Sequence, residues 1–99
     1  MKAIKRNGDK MEITKERLLR SLTIANDDAK RKGKKYTATP EMLDKIAVRL
    51  YERCRKRIKP TRTEEIRDMI ELELMKEKAY ETARRYMRRR YLLEDGEEV

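Results

Sequence analysis

Lys5-Arg6-Asn7-Gly8-Asp9 decides the fold of this 99-residue chain, because it places a turn signal between two short strand-like segments. Asn-Gly is the strongest short hairpin signal, since a two-residue type I′ turn needs positive φ at both central positions. Folding the flanking strands about this turn predicts that Ile4 lies opposite Met11, with Ile13 on the same face. One face of the predicted hairpin is therefore apolar.

Two capped helices are predicted after the hairpin. Thr14 caps the first helix, which we expect to end between Asn26 and Ala29, before a cationic segment at 30–35 that we interpret as a solvated linker. Thr39-Pro40 opens the second helix with a cap and a proline at its first position. Apolar side chains recur at helical spacing at Leu18, Leu22, Ala25 and Ala29, and again at Leu43, Ile46, Ala47, Leu50 and Cys54.

Two further helices complete the predicted bundle. Thr63 is expected to cap the third helix, and the acids Glu64 and Glu65 suit its first turn. The fourth helix is expected from about Lys78, with an arginine-rich outer face and Tyr86 suited to either face. The inward positions are Ile66, Met69, Ile70 and Leu74, then Ala79, Tyr80, Ala83, Met87 and Tyr91. The predicted fold is mostly α (α+β), an N-terminal β-hairpin capping a four-helix bundle, with no parallel sheet.

The composition excludes several classes of protein and favours an anionic partner. The net charge of +9 suits a nucleotide, a nucleic acid or an acidic surface. The single Cys54 excludes an intrachain disulfide, and the absence of His removes the commonest general base and metal ligand. No signal peptide or long apolar run is visible, so we expect a soluble, cytoplasmic protein without a membrane partner.

The opening motif resembles that of the ATP-cone family, small regulatory nucleotide-binding domains of many ribonucleotide reductase large subunits and of a bacterial repressor of reductase genes. The family's opening has a hydrophobic residue, Lys-Arg-Asp-Gly, a second hydrophobic residue, an acid or cap, and a Lys. Here the corresponding residues are Ala3-Ile4-Lys5-Arg6-Asn7-Gly8, Ile13, Thr14 and Arg17. Asn7, Thr14 and Arg17 differ from the family pattern but keep a turn former, a cap and a cation. The resemblance covers residues 3–93.

The residues of a candidate nucleotide site follow from the cations and from this resemblance. We expect Lys5, Arg6, Arg17 and the helix N-terminus behind Thr14 to bind polyphosphate, with Arg88, Arg89 and Arg90 converging on the same phosphates. Each of these cations also suits a solvated surface. Ala3, Ile4, Ile13 and Leu18 suit an adenine slot, and equally suit ordinary core packing. Asn7 and Gly8 form the turn, and the resemblance implies that Thr63 and Arg67 help to hold the nucleotide.

The resemblance implies regulatory binding of ATP or dATP, with or without Mg²⁺, as the allosteric activity domain of a ribonucleotide reductase that supplies deoxyribonucleotides for DNA replication. No Walker motif is present, so the chain alone is predicted not to be an enzyme. Its partners would be an adenine nucleotide and the catalytic part of the reductase, and a homo-oligomer stays open. Segment 88–99 resembles the junction to a catalytic chain, which predicts a domain at 1–93 and a tail at 94–99.

Two alternatives stay open beside this interpretation. A stand-alone basic helical module for nucleic-acid binding or transcription regulation would also explain the net charge. However, no recognition helix with base-reading side chains stands out, so we favour a nucleotide over a nucleic acid as the partner. A protein-interaction bundle is the third possibility.

Overall fold

A computed structural model describes residues 1–92 of the chain, with side chains described for residues 1–90. A small N-terminal sheet precedes four helices, so the predicted fold class is confirmed. The order of elements is β1 (Lys2–Ile4), β2 (Lys10–Glu12), α1 (Lys15–Arg31), α2 (Pro40–Arg55), β3 (Thr61–Arg62), α3 (Thr63–Lys76) and α4 (Tyr80–Leu92).

The hairpin has a longer loop than the sequence suggests. The Lys5 N–H donates to the Asp9 carbonyl at 2.8 Å and the Gly8 N–H donates to the Lys5 carbonyl at 2.9 Å. Gly8 takes a φ of +91°, as in a three-residue loop whose last residue is left-handed. The extra loop residue shifts the register, so Ala3, rather than Ile4, pairs with Met11. The predicted two-residue turn and the predicted Ile4–Met11 pair are therefore wrong, because a one-residue shift exchanges the two faces of a strand.

The third strand, β3, was not expected from the sequence. It pairs in parallel with β1, with Ala3 beside Thr61 and Ile4 beside Arg62. The prediction of no parallel pairing is wrong because a two-residue strand is too short to produce a periodic pattern. This pairing joins the start of α3 to the hairpin.

Helix α1 continues to Arg31, beyond the predicted end between Asn26 and Ala29. Asn26 is buried, and its side chain accepts from the Ala38 N–H at 2.8 Å and donates to the Ala38 carbonyl at 2.9 Å. The Thr82 hydroxyl donates to the same Asn26 oxygen at 2.7 Å. These tertiary contacts occupy the amide that would otherwise compete with the helix backbone, so the helix continues.

The boundaries of α3 and α4 correct two further predictions. Arg62, rather than Thr63, is the N-cap of α3, and its N–H donates to the Glu65 carboxylate at 3.3 Å. Lys78 takes a φ of +61° in the connection, and α4 begins at Tyr80. Tyr80 is consequently exposed rather than inward. Tyr86 is buried instead, whereas the expected inward Tyr91 lies outside the described side chains.

The core lies between the sheet and the four helices. The predicted stripes on α1, α2 and α3 are buried except for Met69, which packs at the margin of the core, and Cys54 is buried as predicted. Glu73 of α3 is also buried and accepts from Arg49 at 3.0 Å and from Arg53 at 2.9 Å, which ties α2 to α3. No helix within residues 1–92 is long and apolar enough to cross a membrane.

Candidate functional site

The parallel pairing of β1 with β3 brings the hairpin tip to the beginning of α3. Ile4 lies beside Arg62 in the sheet; Lys5 directly follows Ile4, and Thr63, the first residue of α3, directly follows Arg62. Neighbouring strands lie about 4.8 Å apart, which sets the distance between these two segments. The Arg6 Nε donates to Glu64 at 2.8 Å and fastens the tip to the first turn of α3. Residues about 60 positions apart in sequence thus form one surface.

Thr63 is an unusual residue within this surface. Its side chain is fully buried, and its hydroxyl has no hydrogen-bond partner within the described part of the chain. Buried polar groups are normally paired, and an unpaired one needs a reason such as a ligand that completes it. Arg67 lies one helical turn further along α3 and is also buried, so the two residues share a face of the helix.

Helix α1 carries two more buried polar atoms of this kind. The Arg17 Nε and the Ser21 hydroxyl are buried and have no partner among the described residues. Their spacing of four residues places them on one face of α1. Thr14 has a different role: its hydroxyl accepts from the Arg17 N–H at 3.0 Å, which confirms the predicted N-cap. Sequence reasoning missed Ser21, although a serine beside the apolar stripe of Leu18 was a visible signal.

The residues expected to line an adenine slot are mostly part of the core. Ala3, Ile13 and Leu18 are fully buried, whereas Ile4 is partly exposed beside the hairpin tip. Asn7 shapes the turn, because its side-chain oxygen accepts from the Asp9 N–H at 3.0 Å. Together with Gly8 it is exposed at the tip.

The three C-terminal arginines of α4 lie in two different surroundings. Arg90 contacts Asp68 at 2.7 Å and Glu71 at 2.8 Å, both on α3. Burial disfavours its charged form, but the hydrogen bonds that its guanidinium donates to Glu71 and Asp68 outweigh burial and raise the pKa of Arg90. Arg89 lines a concavity beside α1, and the exposed Arg88 lines that concavity and a second one. Arg88 and Arg89 therefore share a concavity beside α1, whereas Arg90 is paired with acids of α3.

Comparison with known protein families identifies the family of this chain. The sequence model of the ATP cone domain matches residues 1–95. The chain belongs to the ATP-cone family. ATP-cone domains bind ATP or dATP as allosteric effectors and are regulatory rather than catalytic. No curated protein and no solved structure matches the chain. Within the described part of this ATP-cone, no group of side chains has the composition of a metal site.

Proposed function

We propose that this ATP-cone binds ATP or dATP on the surface formed by the hairpin tip, the start of α3 and the first turns of α1. The observation that carries the proposal is the pairing of β1 with β3, which brings the hairpin to the start of α3, where the buried hydroxyl of Thr63 has no protein partner among the described residues. A nucleotide at this position would supply the missing hydrogen bond and would neutralise the nearby cations.

The phosphates would be bound by Lys5, Arg6 and Arg17. Glu65 accepts from the Arg62 N–H, but the N-cap residue Arg62 itself makes no side-chain capping bond, so the N-terminus of α3 adds backbone donors and a positive dipole end. Arg6 is paired with Glu64 at 2.8 Å, and a phosphate would compete with this carboxylate for the guanidinium. Both side chains are substantially exposed, so exchanging one anion for the other costs little.

The remaining residues of the site would surround these three cations. Thr63 and Arg67 would contact the nucleotide from α3, and Ser21 from α1. Ile4 would offer apolar surface to the adenine, above the core formed by Ala3, Ile13 and Leu18. Asn7 and Gly8 would shape the tip, and Thr14 would set the start of α1. Arg88, Arg89 and Arg90 lie on α4, and the double-mutant cycle described below tests whether this helix contributes to the same phosphates.

The function proposed for this site is that of the allosteric activity domain of a ribonucleotide reductase. Binding of ATP or dATP, with or without Mg²⁺, would depend on the cytoplasmic concentrations of these nucleotides. It would change the activity of the catalytic part of the reductase or the assembly of a homo-oligomer of the reductase. An effector shifts such an equilibrium only by its difference in affinity for the two states. The chain itself would perform no chemistry.

Calorimetric titration tests the proposal with ATP, dATP and GTP. We expect the affinity for ATP or dATP to be well above that for GTP. Lys5→Ala should lower the affinity for ATP roughly ten- to a hundredfold, since charge-assisted hydrogen bonds contribute about 1.5–3 kcal/mol. Lys10→Ala is the matched control on the same hairpin and should leave ATP affinity within about twofold, because loss of one exposed charge has a small effect. Equal affinity for GTP, or equal effects of both substitutions, would refute the assignment.

A double-mutant cycle tests whether α4 contributes to the same site. If Arg6 and Arg89 bind one polyphosphate, Arg6→Ala and Arg89→Ala should couple by more than about 0.5 kcal/mol. Additive effects would remove the C-terminal arginines from the site and leave the hairpin residues in it.

A further inference from the structure

Two tyrosines present exposed rings where the loop before α2 meets the start of α4. The ring centroids of Tyr36 and Tyr80 lie 5.9 Å apart with the planes tilted by 53°. Their exposed fractions are 63% and 47%. Large aromatic side chains usually gain by burial, so an exposed pair indicates a surface that contacts something else.

The backbone conformation of Tyr36 supports this interpretation. Tyr36 has a φ of +61°, a left-handed conformation that a bulky side chain rarely adopts. Its carbonyl accepts from the Glu81 N–H at 3.1 Å, which holds the loop against the first turn of α4. Strained residues concentrate at ligand-binding positions, where the surrounding structure maintains them. The contact with Glu81 thus maintains a rarely adopted backbone conformation at a residue whose ring is exposed.

A cationic groove follows α4 along the C-terminal half of α1, and two of its cations, Lys34 and Arg84, lie two and four residues along the chain from Tyr36 and Tyr80. It consists of two adjoining concavities of about 230 Å³ and 300 Å³ that share Arg85 and Arg88. The smaller concavity adds Lys34 and Arg84, and the larger adds Arg31, Lys32 and Arg89. Asp28 is the one acid among the described side chains that line them.

The positive charge of this groove is only partly neutralised. Arg85 approaches Asp28 at 3.6 Å, and its Nε is buried without a hydrogen-bond partner among the described residues. Arg84 contacts Glu81 at 3.4 Å, but the arginine side chain is 77% exposed, so this pair holds it weakly. Such a concentration of like charge is unfavourable in the free protein and attracts a polyanion.

We propose that this groove binds a single strand of nucleic acid, with phosphates along the cations and bases stacked on Tyr36 and Tyr80. Nonspecific single-strand sites combine a positive groove with aromatic rings in this way. The distance along α4 from Tyr80 to Arg88 is about 12 Å at 1.5 Å per residue, enough for a short extended strand. An acidic peptide would use the cations but would give the tyrosine pair no role.

The test measures binding of fluorescein-labelled dT12 to the full chain by fluorescence anisotropy. The probe contains no adenine, and we propose that its groove is separate from the nucleotide site at the hairpin. Saturating ATP should therefore leave the affinity for dT12 unchanged. If about four phosphates are contacted, the logarithm of affinity should fall with the logarithm of salt concentration with a slope of roughly −3. A poly-glutamate of equal length and a 12-base-pair duplex serve as competing anions and should bind more weakly.

Two double variants identify the groove, and a third is the matched control. Lys34→Gln with Arg84→Gln removes two groove cations and should weaken dT12 at least tenfold at low salt. Tyr36→Leu with Tyr80→Leu keeps the charge and should weaken dT12 roughly 5- to 100-fold through lost stacking. Lys45→Gln with Lys56→Gln removes two exposed charges outside the groove and should have less than about a threefold effect.

The remaining outcomes would overturn the proposal. The proposal is wrong if dT12 does not bind at low salt, if ATP displaces it, or if poly-glutamate binds equally well. It is also wrong if the Lys45→Gln/Lys56→Gln control weakens dT12 as much as the Lys34→Gln/Arg84→Gln variant does. All three double variants should bind ATP like the unaltered chain. Normal ATP binding shows that a variant is folded, and it also separates this test from the test of the nucleotide site. If the unaltered chain does not bind ATP, the proposed function is refuted, but the proposal that the groove binds a single strand is not.

Discussion

Replacing Thr63 by valine should change stability and nucleotide affinity in opposite directions. The Thr63 hydroxyl is fully buried and has no protein partner among the described residues, so its desolvation is not compensated in the unliganded chain. An unpaired buried polar group costs about 1–3 kcal/mol, and valine has nearly the same shape without it. We therefore expect Thr63→Val to raise the free energy of unfolding by about 1 kcal/mol, which corresponds to about 4–8 °C in Tm for a domain of this size.

The same substitution should weaken ATP. If the nucleotide completes the hydrogen bond of Thr63, its loss should reduce ATP affinity by about five- to tenfold, the equivalent of one neutral hydrogen bond. Urea unfolding measures the first effect and calorimetric titration the second. In saturating ATP the stability advantage of the variant should shrink, because the nucleotide stabilises it less than it stabilises the unaltered chain.

Thr82→Val is the matched control. Thr82 is equally buried, but its hydroxyl donates to Asn26 at 2.7 Å. The same change of atoms should therefore lower the free energy of unfolding by about 1–2 kcal/mol, because it breaks a buried hydrogen bond, and leave ATP affinity unchanged. A destabilised Thr63→Val, or one that binds ATP within twofold of the unaltered chain, would refute the reasoning about this hydroxyl.

Three further substitutions or measurements test other parts of the structure. Glu64→Gln releases Arg6 and removes a carboxylate from the phosphate site, so ATP should bind about two- to fivefold more tightly. The free energy of unfolding should change by less than about 0.5 kcal/mol. Weaker ATP binding would contradict the role of Arg6. The hydrogen bond from Arg57 lowers the pKa of Glu65 in the folded state. This carboxylate therefore stabilises the fold at pH values above its pKa in the unfolded chain, and the stabilisation disappears as the pH falls through the lower pKa of the folded state. Urea unfolding of Glu65→Gln below pH about 4.5 should therefore show a smaller acid loss of stability, and an unchanged loss would contradict this account. Burial raises the pKa of Cys54, so a thiol reagent at pH about 8 should label it at least about a hundredfold more slowly than in urea; equal rates would show an accessible thiol.

The sequence by itself determined the elements whose signals are local. Caps, helical spacing and the Asn-Gly turn depend on neighbouring residues, and they identified Thr14, the α2 start at Pro40, the buried stripe through Cys54 and the presence of a hairpin. The hairpin residues proposed for the nucleotide site came from the opening motif, and Lys5 was among them for that reason.

Only the tertiary structure decided which of these residues meet. Strand β3 is too short to leave a pattern, yet its pairing with β1 brings the hairpin to the start of α3. The end of α1 depends on a buried amide of Asn26 that finds its partners 12 and 56 residues away. The separation of Arg90 from its neighbours depends on acids of α3. Contacts between distant segments depend on how the elements pack together, and local sequence patterns carry no information about that packing.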